Sequence, residues 1–213
     1  MKYQAVIFDL DGVLCHTDYY HYLAWKELAD ELEIFFDQRM NERLRGVSRM
    51  ASLEIILQRA GNVVFTEGEK AELAARKNDR YRSMLKGLTG EDVSEDVWAV
   101  LEWMKKRSIR MAIGSSSKNA ELILERLKII GYFEAISDGA GITRSKPDPE
   151  VFLKAAEMLK LSPCNCLIVE DADAGIEAAL AGGFDCAGLG PAAVNPRTVY
   201  PLNHIKELCS VML

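Results

Sequence analysis

Apolar positions along the chain follow two different rhythms. Short apolar runs stand at Ala5-Val6-Ile7-Phe8, Ile109 to Gly114, Ala135-Ile136-Ser137, Cys166-Leu167-Ile168-Val169 and Asp185 to Leu189. Their β-branched and small residues suit strands buried on both faces of a parallel sheet. Asp185 to Leu189 is expected to be the last core strand. Helical spacing separates the later runs. Val97, Val100, Leu101 and Met104 share one face of a helix over Val93 to Arg107. Asn119 is expected to cap a helix to about Leu127, and further helices are expected over Glu150 to Leu159, Ala174 to Ala181 and His204 to Met212. This alternation predicts an α/β fold, a doubly wound parallel (Rossmann-like) sheet.

Between the first two strands the rhythm is helical only. Tyr22, Trp25, Leu28, Ala29 and Leu32 recur at helical spacing behind Thr17 or Asp18 as a cap. More helical pattern follows around Asp37 to Leu44, from Arg49 to Arg59, and from Glu67 to about Lys86. Consecutive helices directly after a buried strand read as an inserted helical cap domain. The expected division is an α/β core over 1–15 and 89–213 and a cap over 16–88. The glycines of Lys86-Gly87-Leu88-Thr89-Gly90 suit a hinge at the second joint.

Ligands of open α/β sheets bind at the carboxyl ends of the strands. In this sequence those ends are polar. The first strand stops at Asp9-Leu10-Asp11-Gly12, the second at Ser115, the third leads toward Lys146, and the fourth stops at Glu170-Asp171. Each has an ordinary reading by itself. Asp-Gly forms turns, Ser115 suits a turn, Lys146 before a proline suits a solvated loop, and Glu170-Asp171 complements a helix dipole. Their joint occurrence, each after its own strand, points instead to one pocket. Clustered carboxylates repel unless paired. A divalent cation resolves that, and hard oxygen ligands favour Mg²⁺ leaning on a substrate phosphate. A lysine among them supplies a point charge for a phosphoryl oxygen.

Composition narrows the partners. A formal charge of -6 argues against a general nucleic-acid binder. No apolar run approaches the roughly 20 residues of a membrane span. The first strand starts almost at once, so no signal peptide is expected and the cytoplasm is the expected compartment. The five cysteines, Cys15, Cys164, Cys166, Cys186 and Cys209, lack paired spacing, so reduced thiols are expected.

The order Asp-x-Asp-Gly-Val, Ser, Lys-Pro, Glu-Asp resembles the haloacid dehalogenase superfamily of aspartate-nucleophile phosphotransferases, over the whole chain. The inserted helices resemble the caps of its sugar-phosphate mutases at His21-Tyr22-Leu23-Ala24-Trp25-Lys26, at Leu44-Arg45-Gly46-Val47-Ser48-Arg49 and at Arg76-Lys77-Asn78-Asp79. Ser115-Ser116-Ser117-Lys118-Asn119 resembles their phosphate-binding loop. The resemblance implies Asp9 as nucleophile, Asp11 as general acid/base, and Ser115 and Lys146 as holders of the transferring group. It implies Mg²⁺ on Asp9, Glu170, Asp171 and the backbone carbonyl of Asp11. It implies substrate binding by His21, Trp25, Gly46, Val47, Ser48, Arg49, Lys77, Ser116, Ser117, Lys118 and Asn119, with Arg49 on the distal phosphate. His21 is expected to bond across to the hinge or to Asp11.

The implied activity is a Mg²⁺-dependent phosphomutase interconverting β-D-glucose 1-phosphate and glucose 6-phosphate. It would proceed through an aspartyl-phosphate, with β-glucose 1,6-bisphosphate as intermediate and phosphorylating activator. A monomer acting on a small sugar phosphate is expected, without nucleic-acid or membrane partners. The rivals are a phosphatase of the same fold and, more distantly, a dehalogenase or a non-catalytic phospho-ligand module. The sequence departs from the family pattern at Val93-Ser94-Glu95-Asp96-Val97, where a Pro-Gly is common, and at Ala172, Ser116 and His16.

Overall fold

The computed structural model describes residues 2–44, 47–61 and 63–213. Strand β1 (Ala5–Phe8) pairs in parallel with both β2 (Arg110–Gly114) and β4 (Cys166–Glu170), so it lies at the centre of the sheet. With β3 (Ala135–Ser137), β5 (Asp185–Gly188) and β6 (Tyr200–Pro201) the order is β3-β2-β1-β4-β5-β6, and every pairing is parallel.

The strands' alternating side chains fill two separate cores. Val6, Phe8, Met111, Ile113, Leu167 and Val169 join one cluster with helix α5 (Glu95–Lys106) and helix α6 (Ala120–Arg126). Ala5, Ile7, Ala112, Cys166 and Ile168 join the other with α7 (Glu150–Met158) and α8 (Asp173–Ala181). Because helices cover both faces, β1 is apolar throughout and β4 is apolar up to its last residue, Glu170, and both strands are buried along their whole length.

Among the described residues four α-helices intervene between β1 and α5: α1 (Asp18–Glu31), α2 (Gln38–Glu42), α3 (Arg49–Leu57) and α4 (Glu67–Leu85). They enclose their own cluster, in which Trp25, Leu28, Met40, Leu53, Ile56 and Leu73 are buried. Side-chain caps set three of their starts. Asp37 accepts from the Met40 amide, Ser48 from the Ala51 amide, and Thr66 forms a capping box with Glu69. The fold is therefore the expected doubly wound parallel sheet with an inserted helical cap.

One expectation is extended and three are corrected. Asp185 to Leu189 holds β5, the last buried strand, and a two-residue, partly exposed edge strand, Tyr200–Pro201, adds beyond it on Ala187 and Gly188. The closing helix is a 3₁₀ turn, Ile205–Glu207, followed by α9 (Leu208–Val211). Thr17 precedes α1 but makes no side-chain cap bond; its hydroxyl goes to Asp11 instead. Asn119 precedes α6, also without a side-chain cap bond, and its amide goes to the cap. Among the described residues no helix is long and apolar enough to cross a membrane.

Candidate active site

Asp9 follows β1 directly, and its amide donates to the Val169 carbonyl of β4 at 2.9 Å. The chain then turns at Gly12, whose φ of +87° is the left-handed region. A Cβ at Gly12 would collide with Oδ2 of Asp171. The turn thus lets the two acidic strand ends close on each other. A metal-sized group of ligand oxygens results: one each from Asp9, Glu170 and Asp171, all within 4.8 Å of one another and all on buried residues.

Lys146, joined to Pro147 by a cis peptide bond, sits behind these carboxylates and is itself buried. Its Nζ donates to Oδ1 of Asp9 and, at 2.5 Å, to Oε1 of Glu170. The other Glu170 oxygen accepts from the amides of Asp171 at 2.8 Å and Ala172 at 2.9 Å. Helix α8 passes so close that a Cβ at Gly175 would overlap the Glu170 carboxylate. Burial pushes the Asp9 carboxyl up to about 7 against the pull of Lys146, and Glu170 adds to the rise. Burial works against the Lys146 charge, but Asp9 and Glu170 outweigh it and raise its pKa. Three carboxylates against one ammonium leave an excess of hard oxygen donors, which fits a small divalent cation.

Asp11 takes part differently. Burial, and then the charges of Asp9, Asp18 and Asp171, hold its carboxyl well above the usual carboxylate range. A carboxyl raised in this way is suited to carry a proton and give it up to a leaving oxygen. Its Oδ1 accepts from the hydroxyl of Thr17, a residue with no exposed surface. Thr17 in turn accepts from Tyr81 of α4 at 3.0 Å. Tyr81 stacks on His21 with ring centroids 3.9 Å apart. In place of the expected side-chain bond to the hinge or to Asp11, Nδ1 of His21 lies 2.8 Å from Nζ of Lys77.

A cavity of about 490 Å³ opens between this floor and the cap. Asp9, Asp11, Ser115, Ser116, Ser117, Lys118, Asn119, Glu170 and Asp171 line it from the sheet side. His21, Trp25, Val47, Ser48, Arg49 and Lys77 line it from the cap. Lys146 stands just behind the wall, and Gly46, with Arg45, lies outside the described residues. Trp25 has a double place: it lines the cavity and is buried in the cap core. The cation of Lys77 sits 4.7 Å over the Trp25 ring and 4.8 Å over that of Tyr81. Burial and the nearby Arg49 push Lys77 down to about 7, while Asp11 opposes the fall. Burial, Lys77 and Arg49 keep His21 well below its ordinary value, so its imidazole is neutral.

Tyr81 and Asn78 also line the cavity; Tyr81 escaped the sequence reading, and Asn78 stands there only as part of the segment 76–79, not as a site residue. Tyr81 is almost fully buried and so resembles any core aromatic. Asn78 follows Lys77 inside a charged helix, where a polar residue is unremarkable.

The haloacid dehalogenase-like hydrolase family model matches residues 3–183. The chain is 47% identical over 188 residues to the β-phosphoglucomutase of Bacillus subtilis (strain 168), covering 88% of this chain and 83% of that one. It is 32% identical over 186 residues to the fructose-1-phosphate phosphatase YqaB of Escherichia coli (strain K12), covering 86% and 95%. The crystal structure of β-phosphoglucomutase from Clostridium difficile superposes with a TM-score of 0.91 at 36% identity, covering 97% of this chain and 93% of that one. Sequence, fold and the carboxylate–lysine floor agree: the chain belongs to the haloacid dehalogenase-like hydrolase family.

Proposed function

We propose that this protein is a β-phosphoglucomutase, interconverting β-D-glucose 1-phosphate and glucose 6-phosphate. The observation that carries the reading is that one cavity has cationic groups on opposite walls. Lys146 stands behind the carboxylate floor, and Arg49 and Lys77 line the cap wall facing it. A monophosphate hydrolase needs charge at one end. A bisphosphate intermediate needs it at both.

Asp9 attacks phosphorus, and its carboxylate takes the phosphoryl group as an aspartyl-phosphate. Asp11 protonates the departing sugar oxygen, then removes the proton from the hydroxyl that attacks in the next half-reaction. Ser115 and Lys146 hold the oxygens of the transferring group, and Lys146 offsets the charge that develops there. Mg²⁺ would be held by Asp9, Glu170, Asp171 and the backbone carbonyl of Asp11, and would supply charge neutralisation at the transferring phosphoryl group. Glu170 already accepts from Lys146 and two amides, so part of its work is to orient them.

On the cap side Arg49 grips the distal phosphate with its guanidinium fork. Lys77 adds a cation whose charge a phosphate dianion would stabilise. Ser116, Ser117, Lys118 and Asn119 complete the cradle from the core, and Val47, Ser48, His21 and Trp25 shape the sugar's surroundings. The bisphosphate made from β-glucose 1-phosphate reorients and returns its 1-phosphate to Asp9. The helical unit over 16–88 acts as the cap that shields the aspartyl-phosphate from water. Catalytic amounts of β-glucose 1,6-bisphosphate prime Asp9.

The test is incubation with Mg²⁺, β-glucose 1-phosphate and a trace of the bisphosphate, following glucose 6-phosphate against free phosphate. Glucose 6-phosphate without matching free phosphate is expected. Free phosphate alone would make the protein a phosphatase.

A further inference from the structure

Asn119 stands at the residue before α6, where an asparagine side chain ordinarily accepts from the helix's own amides. Here it makes no such bond. Its Nδ2 instead donates to Oδ1 of Asn78 on α4 at 3.0 Å. The bond crosses from the sheet-bound loop after β2 to the cap, and both residues line the cavity. Asn119 is 5% exposed, so its amide is turned away from water toward this partner. Its own backbone N–H is accepted by Ser117 Oγ at 3.2 Å, which fixes the loop that carries it.

We propose that Asn78 is a positioning residue. Its amide oxygen latches the cap to the phosphate-binding loop and thereby sets how the aspartyl-phosphate divides between sugar and water. This rests on the β-phosphoglucomutase reading. The pair suits the task chemically. Both amides are neutral, so the bond persists whichever charge state the phosphate takes. A single neutral hydrogen bond is also weak enough to open in every cycle, which reorientation of the bisphosphate requires. When it is open, water enters and attacks phosphorus. The bond from phosphorus to the Asp9 oxygen breaks, inorganic phosphate leaves, and the carboxylate is regenerated. When it is closed, the sugar hydroxyl is the nucleophile at hand.

Two substitutions test this. Asn78→Ala removes the acceptor, and alanine is the better helix former, so α4 is retained. Asn78→Asp keeps an acceptor for Asn119 but adds charge beside the phosphate cradle. With Mg²⁺, β-glucose 1-phosphate and trace bisphosphate, Asn78→Ala should raise the ratio of free phosphate to glucose 6-phosphate by roughly two- to tenfold, the span of one hydrogen bond. Asn78→Asp should keep the native ratio while raising KM. Small-angle X-ray scattering should show a larger radius of gyration for Asn78→Ala than for the native protein or Asn78→Asp. An unchanged ratio and radius in Asn78→Ala, or equal shifts in both variants, would overturn the latch. A native protein that releases only free phosphate would instead overturn the mutase reading. The scattering comparison would then still decide the latch.

Discussion

Nζ of Lys77 lies 2.8 Å from Nδ1 of His21, a neutral imidazole, with an aromatic ring on two of its sides. A charged Lys77 donates to His21. Burial nonetheless pushes it down to about 7, with Arg49 adding to the fall. The sign for activity follows. As pH rises through 7 the free enzyme loses this cation, and with it affinity for a distal phosphate dianion. The value of kcat/KM for β-glucose 1-phosphate should therefore fall on the alkaline side of about pH 7. Lys77→Arg, whose guanidinium keeps its proton, should flatten that limb. A pH profile of both proteins checks this.

Thr17 links the acid/base to the cap, because it donates to Asp11 and accepts from Tyr81. Thr17→Val keeps the shape and removes both bonds. A hydrogen bond to an ionisable group contributes about 1.5–3 kcal/mol, so kcat should fall by roughly 10- to 100-fold. KM should change far less, since Thr17 does not line the cavity. Steady-state kinetics separates the two.

The two acidic residues at the end of β4, Glu170 and Asp171, should respond differently to removal of charge. Glu170 is held by Lys146 and by two amides and so also positions Lys146, and Asp171 packs against the Gly12 turn beside Asp9. Asp171→Asn should weaken Mg²⁺ by more than the roughly 10- to 100-fold lost when only a group behind a metal ligand is removed. Glu170→Gln should weaken it less and slow turnover through a misplaced Lys146. Titrating activity with Mg²⁺ for each variant measures the difference.

Gly12→Ala should be damaging for two reasons. A side chain there must adopt a φ of +87° and its Cβ would displace the Asp171 carboxylate. Backbone strain of this kind costs about 1–3 kcal/mol. Thermal unfolding should show a lower Tm, and the Mg²⁺ requirement should rise in the same variant.

Much of this architecture was legible in the sequence because its signals are cooperative. β1 is apolar over its whole length and β4 up to Glu170 since helices cover both faces, and the carboxylates stand at or just past the strand ends. The cap helices announce themselves as consecutive helical periods with polar caps. What escaped notice lacks such a signal. β6 is two residues long and includes a proline that donates nothing to the ladder, so no apolar run marks it. Thr17 and Asn119 are residue types that cap helices, and only the fold shows their side chains going elsewhere. Tyr81 carries a hydroxyl with a particular partner, but helical spacing presents it as core. The role of such residues depends on neighbours distant in sequence.

Asp9 is assigned both halves of the reaction, so the fate of its phosphoryl group is decisive. The protein is labelled from β-glucose 1,6-bisphosphate carrying ³²P, freed of excess label, and chased with unlabelled β-glucose 1-phosphate and Mg²⁺ under rapid quench. The label should lie on Asp9 before the chase, be absent from Asp9→Asn, and pass into sugar phosphate. Label recovered as inorganic phosphate, or retained by Asp9→Asn, would contradict the assignment.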